Sequence, residues 1–488
     1  MSTPATQIAD DLLRTQLHIA GGWRDGSTGE SSPVIDPATG ETVAEVAVAT
    51  PDDMVAAIDA AQEAFAGWSR TPAPQRSRIL RRWYELIVER ADDLAQLLTA
   101  EQGKPLAEAR GEILYGAGFI EWFAEEAKRL YGEVIPTNNP DRRMMTIRSA
   151  VGVTAAITPW NFPCAMILRK AAPALAAGCS MIIKPAEETP LSALALAALA
   201  QEAGIPAGVL SVVTGSGPRL GEVLTGDERV RTISFTGSTE VGRILMAQSA
   251  GTLKRLALEL GGNAPLIVFD DADLDNAVKG AMDSKFRNAG QTCVCANRIF
   301  VQDGIHDAFV EALGREMAKL RVGDGREPGT TQGPLISSAA VDKVRRHIDD
   351  ARDKGARVVQ GGDLTEQGRT FFTPTLIVDA SPDMLLAREE TFGPLAPVIR
   401  FSTEEEAIRM ANDTEFGLAG YFFSRDIGRI TRVSEALEVG VVGVNTGLIS
   451  YEGAPFGGVK QSGIGREGSR HGIEEYTDLK YICIEGVA

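Results

Sequence analysis

From residue 151 onward, short apolar runs alternate with alanine-rich or amphipathic segments, and that alternation leaves few folds open. Residues 151–157 read as a strand ending in Thr158-Pro-Trp-Asn-Phe-Pro163, where two prolines force a turn. Residues 180–184 form the next strand. Thr189 then stands where it would cap a helix, with Pro190 at the first helical position, residues 191–200 as the body and Gly204 as the stop. A strand at 209–214, a short helix at 219–224, a strand at 232–235 and a helix at 239–249 follow. Such βαβ order predicts a parallel sheet covered by helices. After a strand at 264–269, residues 273–288 read as a helix that delivers the turn around Cys293. A second alternation succeeds it, with a strand at 298–301, a helix at 306–320 and strands near 356–359 and 375–378. The break at Gly261-Gly262 separates two α/β units.

Composition sets the outer limits. The 488 residues, 44% of them hydrophobic, suffice for two or more domains. A net charge of −17 argues against nucleic acid or an anionic membrane surface as a partner. Residues 1–14 show no basic-then-apolar signal pattern, and no apolar run is long enough to span a bilayer. Five scattered cysteines do not make a disulfide framework and fit a reducing, cytoplasmic setting. His18, His306, His347 and His471 form no metal-ligand spacing, and Cys-X-Cys alone is a poor zinc site, so no metal is expected.

The densest chemistry lies in Phe286-Arg-Asn-Ala-Gly-Gln-Thr-Cys-Val-Cys-Ala-Asn-Arg298. Cys293 sits in a turn whose backbone N–H groups can face an oxyanion. A catalytic cysteine acts as the thiolate, so surroundings that favour the anion are expected. Free cysteines are commonly just buried, but Gly290, Gln291 and the neighbouring asparagines are too polar for a packed core segment. Cys295 is either a redox partner for Cys293 or packing beneath it. Glu259, in Leu258-Glu-Leu-Gly-Gly-Asn-Ala-Pro265, is a lone acid in an uncharged stretch. Burial there would raise its pKa toward that of a useful general base, although a structural acceptor would look the same.

Two glycine turns each follow a strand, as a dinucleotide pyrophosphate requires. Gly215-Ser-Gly-Pro-Arg-Leu-Gly221 offers Gly217 and Gly221, one residue longer than the usual fingerprint. Phe235-Thr-Gly-Ser-Thr-Glu-Val-Gly242 has near-P-loop glycine spacing, yet Arg243 stands in place of the Lys-Ser/Thr pair, which excludes nucleotide hydrolysis. Each alone is no better than a plain βα turn; together they favour a dinucleotide.

The segment around Cys293 resembles the nucleophile segment of succinate-semialdehyde dehydrogenases in the aldehyde dehydrogenase superfamily, and the likeness runs from His18-Ile-Ala-Gly-Gly-Trp23 to the C-terminus. The resemblance implies an altered Rossmann cofactor domain (1–130 and 150–260), a second parallel α/β catalytic domain (261–465) and a small oligomerisation sheet (131–149 and 466–488) joining subunits of a homodimer or homotetramer. It implies oxidation of succinate semialdehyde to succinate through a cysteine thioester, with NAD, the preferred cofactor, or NADP. Cys293 would be the nucleophile, Asn161 an oxyanion donor beside the N–H of Cys293, and Glu259 the general base. Gly237 and Ser238 would meet the pyrophosphate with Trp160 nearby. Lys184 and Glu187 would read the adenosine ribose, and Glu390 and Phe392 would hold the nicotinamide half. Arg169, Arg287 and Ser450 match a clamp for a substrate carboxylate, a task suited to guanidinium. Glutarate semialdehyde is the rival substrate. A cofactor-independent cysteine thioesterase, or a non-catalytic binding protein, would leave the cofactor elements without a purpose.

Overall fold

The computed structural model describes residues 8–486; the outermost parts of the first and last assigned segments, 1–7 and 487–488, lie outside the described residues. Five parallel strands form the middle of an eight-stranded sheet. In spatial order they are Arg255–Glu259, Val230–Thr236, Val153–Ile157, Ser180–Lys184 and Leu210–Val212. Their side chains are mostly buried, as a sheet covered on both faces requires. The helix Ala165–Ala177 is buried on every side and ends at Gly178, whose φ of +98° closes it in the left-handed region.

The expected helix after Ser180–Lys184 spans Leu191–Glu202, but Thr189 does not cap it. Pro190 takes the cap position without a side-chain bond. The buried Glu101 carboxylate instead accepts from the N–H groups of Leu191 at 2.7 Å and Ser192 at 2.9 Å. Glu101 comes from a layer that the strand–helix reading did not contain: the helices Pro51–Trp68, Ala73–Glu89, Ala91–Gln102 and Leu106–Glu126. Trp68 and Trp83 bind that layer to the sheet's own helices by donating to Leu175 O and Leu196 O.

A seven-stranded sheet follows. Thr375–Val378, Leu395–Phe401, Ala296–Gln302, Ala264–Val268, Ala419–Phe423 and Val441–Val444 are parallel, with Arg357–Gln360 antiparallel at one edge. The chain then crosses back. Gly463–Ile464, inside the stretch assigned to the catalytic unit, pairs antiparallel with Leu258 and Glu259 of the first sheet. That pairing satisfies an edge that would otherwise expose unpaired backbone groups. Val134–Ile135, Arg142–Ala150 and Thr477–Glu485 make a separate three-stranded antiparallel sheet.

Strand order in the first sheet reverses between Val153–Ile157 and Val230–Thr236. Open α/β sheets bind ligands in the crevice at the carboxyl ends beside such a reversal. The turns leaving these two strands carry Trp160, Asn161, Gly237 and Ser238, and Glu259 ends the next strand. Facing them are the segments that enter two strands of the second sheet, with Cys293 before Ala296–Gln302 and Glu390 before Leu395–Phe401.

Candidate active site

One cavity of about 410 Å³ gathers most of the expected residues. Cys293, Asn161 and Glu259 line it, as do Arg169, Arg287 and Ser450, and so do Trp160, Gly237, Ser238, Glu390 and Phe392. Lys184, Glu187, Gly217, Gly221 and Cys295 stand outside its wall.

The turn that presents Cys293 is held against its own backbone preference. The helix Leu274–Lys285 ends short of the expected residue 288, because Asn288 and Ala289 turn into the left-handed region at φ +51° and +55°. Gly290 follows at φ +74°, where a Cβ would lie 2.2 Å from Gly393 O. Non-glycine residues in this region cost on the order of 1–3 kcal/mol each and persist only where the surroundings dictate them. Here the N–H of Asn288 donates to Glu108, its Oδ1 accepts from Gln102, and its Nδ2 donates to Asn161 O. The fully buried Gln291 donates to Asn288 O and accepts from the N–H of Ile336.

This arrangement leaves two donors for an oxyanion. The N–H of Cys293 makes no hydrogen bond among the described residues. The side-chain amide of Asn161 donates one hydrogen to Gln291 O at 2.9 Å and keeps the other. The expected thiolate-favouring setting is absent, however. Burial pushes the Cys293 thiol up to about 12, and the carboxylates of Glu390 and Glu259 add to the effect. Cys295 is buried and aims its thiol at Lys285 O, 3.6 Å away; burial raises its pKa too.

Glu259 is buried with neither carboxyl oxygen hydrogen-bonded among the described residues. Its pKa stands well above the usual carboxylate range, first through burial and then through the nearby Glu467, against the pull of Arg169, Lys170 and Arg466. Its backbone O accepts from the N–H of Gly237, joining its strand to the expected pyrophosphate turn. At Gly457 a Cβ would lie 2.9 Å from Glu259 Oε1, so glycine leaves that carboxyl its room.

The two arginines differ. Arg169 is buried, with Nε 2.8 Å from Glu467 Oε2 and its guanidinium 3.8 Å from the centroid of Phe456. Lys170 Nζ holds the other Glu467 oxygen at 2.5 Å. The guanidinium of Arg287 makes no ion pair or hydrogen bond among the described residues and lies 5.0 Å from the centroid of Phe162.

On the other wall Trp160 and Phe392 meet edge to face, their centroids 5.5 Å apart. Glu390 Oε1 accepts from the N–H of Gly262, and burial pushes its carboxyl up to about 7 against the opposing effects of that N–H, Lys343 and Lys285. Ser238 caps the helix Thr239–Ser249 by accepting from the N–H of Val241. Outside the cavity, the exposed Glu187 accepts from the N–H of Gly217 at 2.8 Å and lies 3.9 Å from Lys184 Nζ. The amide of Gly217 is therefore engaged by a carboxylate, and a Cβ at Gly221 would lie 3.9 Å from the Leu245 side chain. Of the two glycine turns, only Gly237-Ser238 opens on the cavity. A slot with an aromatic pair, a buried carboxyl and a capped helix start fits a nicotinamide dinucleotide.

Several wall residues escaped sequence reading: Tyr115, Phe162, Met166, Phe456 and Lys343. Glu467, behind the wall, escaped as well. A signal for it existed, a lone acid among glycines in Gly463-Ile-Gly-Arg-Glu-Gly468.

Residues 23–482 match the aldehyde dehydrogenase family. The chain is 60% identical to a glutarate-semialdehyde dehydrogenase of Pseudomonas putida, covering 98% of this chain and 99% of that one. It is 59% identical to an NADP⁺-linked succinate-semialdehyde dehydrogenase of Escherichia coli, covering 97% and 98%. A solved succinate-semialdehyde dehydrogenase structure from Burkholderia pseudomallei superimposes with a TM-score of 0.97 at 58% identity, covering 98% of this chain and 99% of that one. With a site of this construction and a match over nearly its whole length, the chain belongs to the aldehyde dehydrogenase family.

Proposed function

We propose that this enzyme oxidises succinate semialdehyde to succinate, with NAD preferred over NADP. The observation that carries the reading is a single cavity in which Cys293, Asn161 and Glu259 share walls with Arg287, unpaired among the described residues, and with the Trp160–Phe392 pair. When bound, the dinucleotide supplies the hydride acceptor. Trp160, Gly237, Ser238, Glu390 and Phe392 would hold it from within the cavity, with Lys184 and Glu187 at the adenosine ribose.

The protein's own groups do the rest. The Cys293 thiol gives up its proton to water as its sulfur adds to the aldehyde carbon, and the N–H of Cys293 and the free N–H of Asn161 receive the oxygen. Loss of hydride leaves an acyl group on sulfur. Glu259 takes a proton from water as the water adds to that acyl carbon, and the sulfur departs as thiolate with release of the acid. Arg287 and Ser450 hold the far carboxylate, with Arg169 beside them.

Glutarate semialdehyde is the second reading, supported by the Pseudomonas putida relative. One methylene separates the two substrates by only about 1–3 kcal/mol. Following cofactor reduction for succinate semialdehyde, glutarate semialdehyde and butanal decides among them. A higher kcat/KM for butanal than for either acid would defeat the carboxylate reading. Five free thiols among the described residues support a cytoplasmic setting. The exposed Val134, Leu479 and Tyr481 on the three-stranded sheet support its role as a contact between copies of the chain.

A further inference from the structure

Between the Asn161 turn and the Cys293 turn lies a buried polar cluster that the chemistry above leaves unused. Lys104 stands between the helices Ala91–Gln102 and Leu106–Glu126, just after Gly103 at φ +91°. Its ammonium is fully buried, 2.5 Å from Glu112 Oε2, 2.8 Å from the carbonyl O of Asn161 and 3.9 Å from the centroid of Phe162. The other oxygen of Glu112 accepts from the N–H groups of Cys164 at 2.9 Å and Ala165 at 3.2 Å, which fixes the start of the helix Ala165–Ala177. Asn288 Nδ2 donates to the same Asn161 carbonyl at 3.0 Å. The side chain of Asn161 then reaches Gln291 O, in the turn that presents Cys293.

Desolvation of both ions offsets most of the attraction in a buried pair, so stability alone is a poor account of this one. The pair is also neutral overall, which keeps its own field at Cys293 small. What it does fix is a position. We propose that Lys104, held by Glu112, is a positioning residue for the oxyanion donor: by gripping the backbone carbonyl of Asn161 it aims the free side-chain N–H of Asn161 at the oxygen that forms on Cys293. The inference rests on the reading of Asn161 given above. Lys104 touches neither substrate nor cofactor, and its effect runs through geometry. A displacement of about 1 Å at a reacting group costs on the order of a hundredfold in rate.

The test is a double-mutant cycle read by single-turnover hydride transfer from succinate semialdehyde to NAD. Asn161→Ala should slow transfer by roughly 10²- to 10³-fold. Lys104→Met should slow it by about a hundredfold, with the Kd for NAD unchanged. The two together should be no slower than Asn161→Ala alone. If Lys104→Met fails to fold, Lys104→Gln, which keeps a donor toward Glu112 but lacks the reach to Asn161, should show the same non-additivity. A Lys104 variant that transfers hydride at the wild-type rate, or that slows the Asn161→Ala background as much as the wild type, overturns the proposal. Full-rate transfer in Asn161→Ala itself defeats the reading of Asn161 instead, and the two failures are thereby distinguished.

Discussion

Glu467 places a carboxylate oxygen 2.8 Å from Nε of Arg169. One of the two arginines in the cavity is thus already committed to an internal anion, while Arg287 makes no ion pair among the described residues. The same carboxylate is held by Lys170 and raises the pKa of Glu259, so Arg169 is tied to the proposed base as well as to the proposed carboxylate clamp.

The arginines should therefore separate in kinetics. Arg287→Ala should raise KM for succinate semialdehyde by roughly 10- to 150-fold, the loss of about 1.5–3 kcal/mol from a charged hydrogen bond, and hardly affect butanal. Arg169→Ala should penalise both substrates and lower the melting temperature, because breaking one partner of a buried pair costs about 3–5 kcal/mol. Equal losses on both substrates in Arg287→Ala would assign that residue to the fold.

Nucleophile and base should separate by step and by pH. Cys293→Ala should abolish oxidation and keep cofactor binding; Glu259→Gln should give a burst of reduced cofactor followed by slow turnover. Both groups have pKa values raised by burial, so their working, deprotonated forms gain population as pH rises, and kcat/KM should climb from neutral to alkaline pH. A carboxyl whose folded pKa exceeds its unfolded one loses its contribution to stability as pH rises through the folded value. Glu259→Gln should accordingly melt higher than the wild type at alkaline pH and gain nothing in acid. Steady-state turnover at the wild-type rate in Glu259→Gln would move water activation to another group.

Cofactor choice should turn on Glu187. Its carboxylate, at the N–H of Gly217, would meet the 2′-phosphate of NADP with like charge. The side chain is exposed and can swing into solvent, so only part of the repulsion survives; a residual ~1.4 kcal/mol gives roughly a tenfold preference for NAD in kcat/KM. Glu187→Ser should narrow it. A wild-type preference for NADP would show that Lys184 reads the phosphate.

Cys293 and Cys295 should form a reversible bond under mild peroxide. Disulfides need Cα separations of about 4.4–6.8 Å, and closing one across a single residue distorts the turn, which makes it easy to reduce. Because burial holds both thiols protonated, inactivation should quicken as pH rises. Dithiothreitol should restore the wild type, and Cys295→Ala should lose activity irreversibly. Reversible inactivation with no linkage between the two cysteines by mass spectrometry would sink the idea.

Local pattern served well where it decided the outcome. The helix Thr239–Ser249 and the strands Ser180–Lys184 and Thr375–Val378 fall where the apolar runs placed them, because each run is bounded by turn residues. Cys293, Asn161 and Glu259 were legible as motifs, and the cavity does bring them together. What the motifs could not carry was distance along the chain. Glu101 replaces Thr189 at a helix start ninety residues later, and Glu467 pairs with Arg169 across nearly three hundred. Spacing was also silent on burial, which reverses the expected acidity of Cys293.

The pairing of Leu258 and Glu259 with Ile464 and Gly463 has a consequence for the order in which the protein is made. One flank of the Glu259 strand is covered as soon as Val230–Thr236 is in place. The other stays bare until residues 463–464 leave the ribosome, and Gly457, which leaves the same carboxyl its room, and Glu467, which tunes it, arrive in that stretch. A nascent chain thus holds an open sheet edge from the completion of Glu259 until Gly463 emerges, the kind of edge that chaperones shield and neighbouring chains invade. The surroundings of Glu259 are therefore completed long after the strand that carries it.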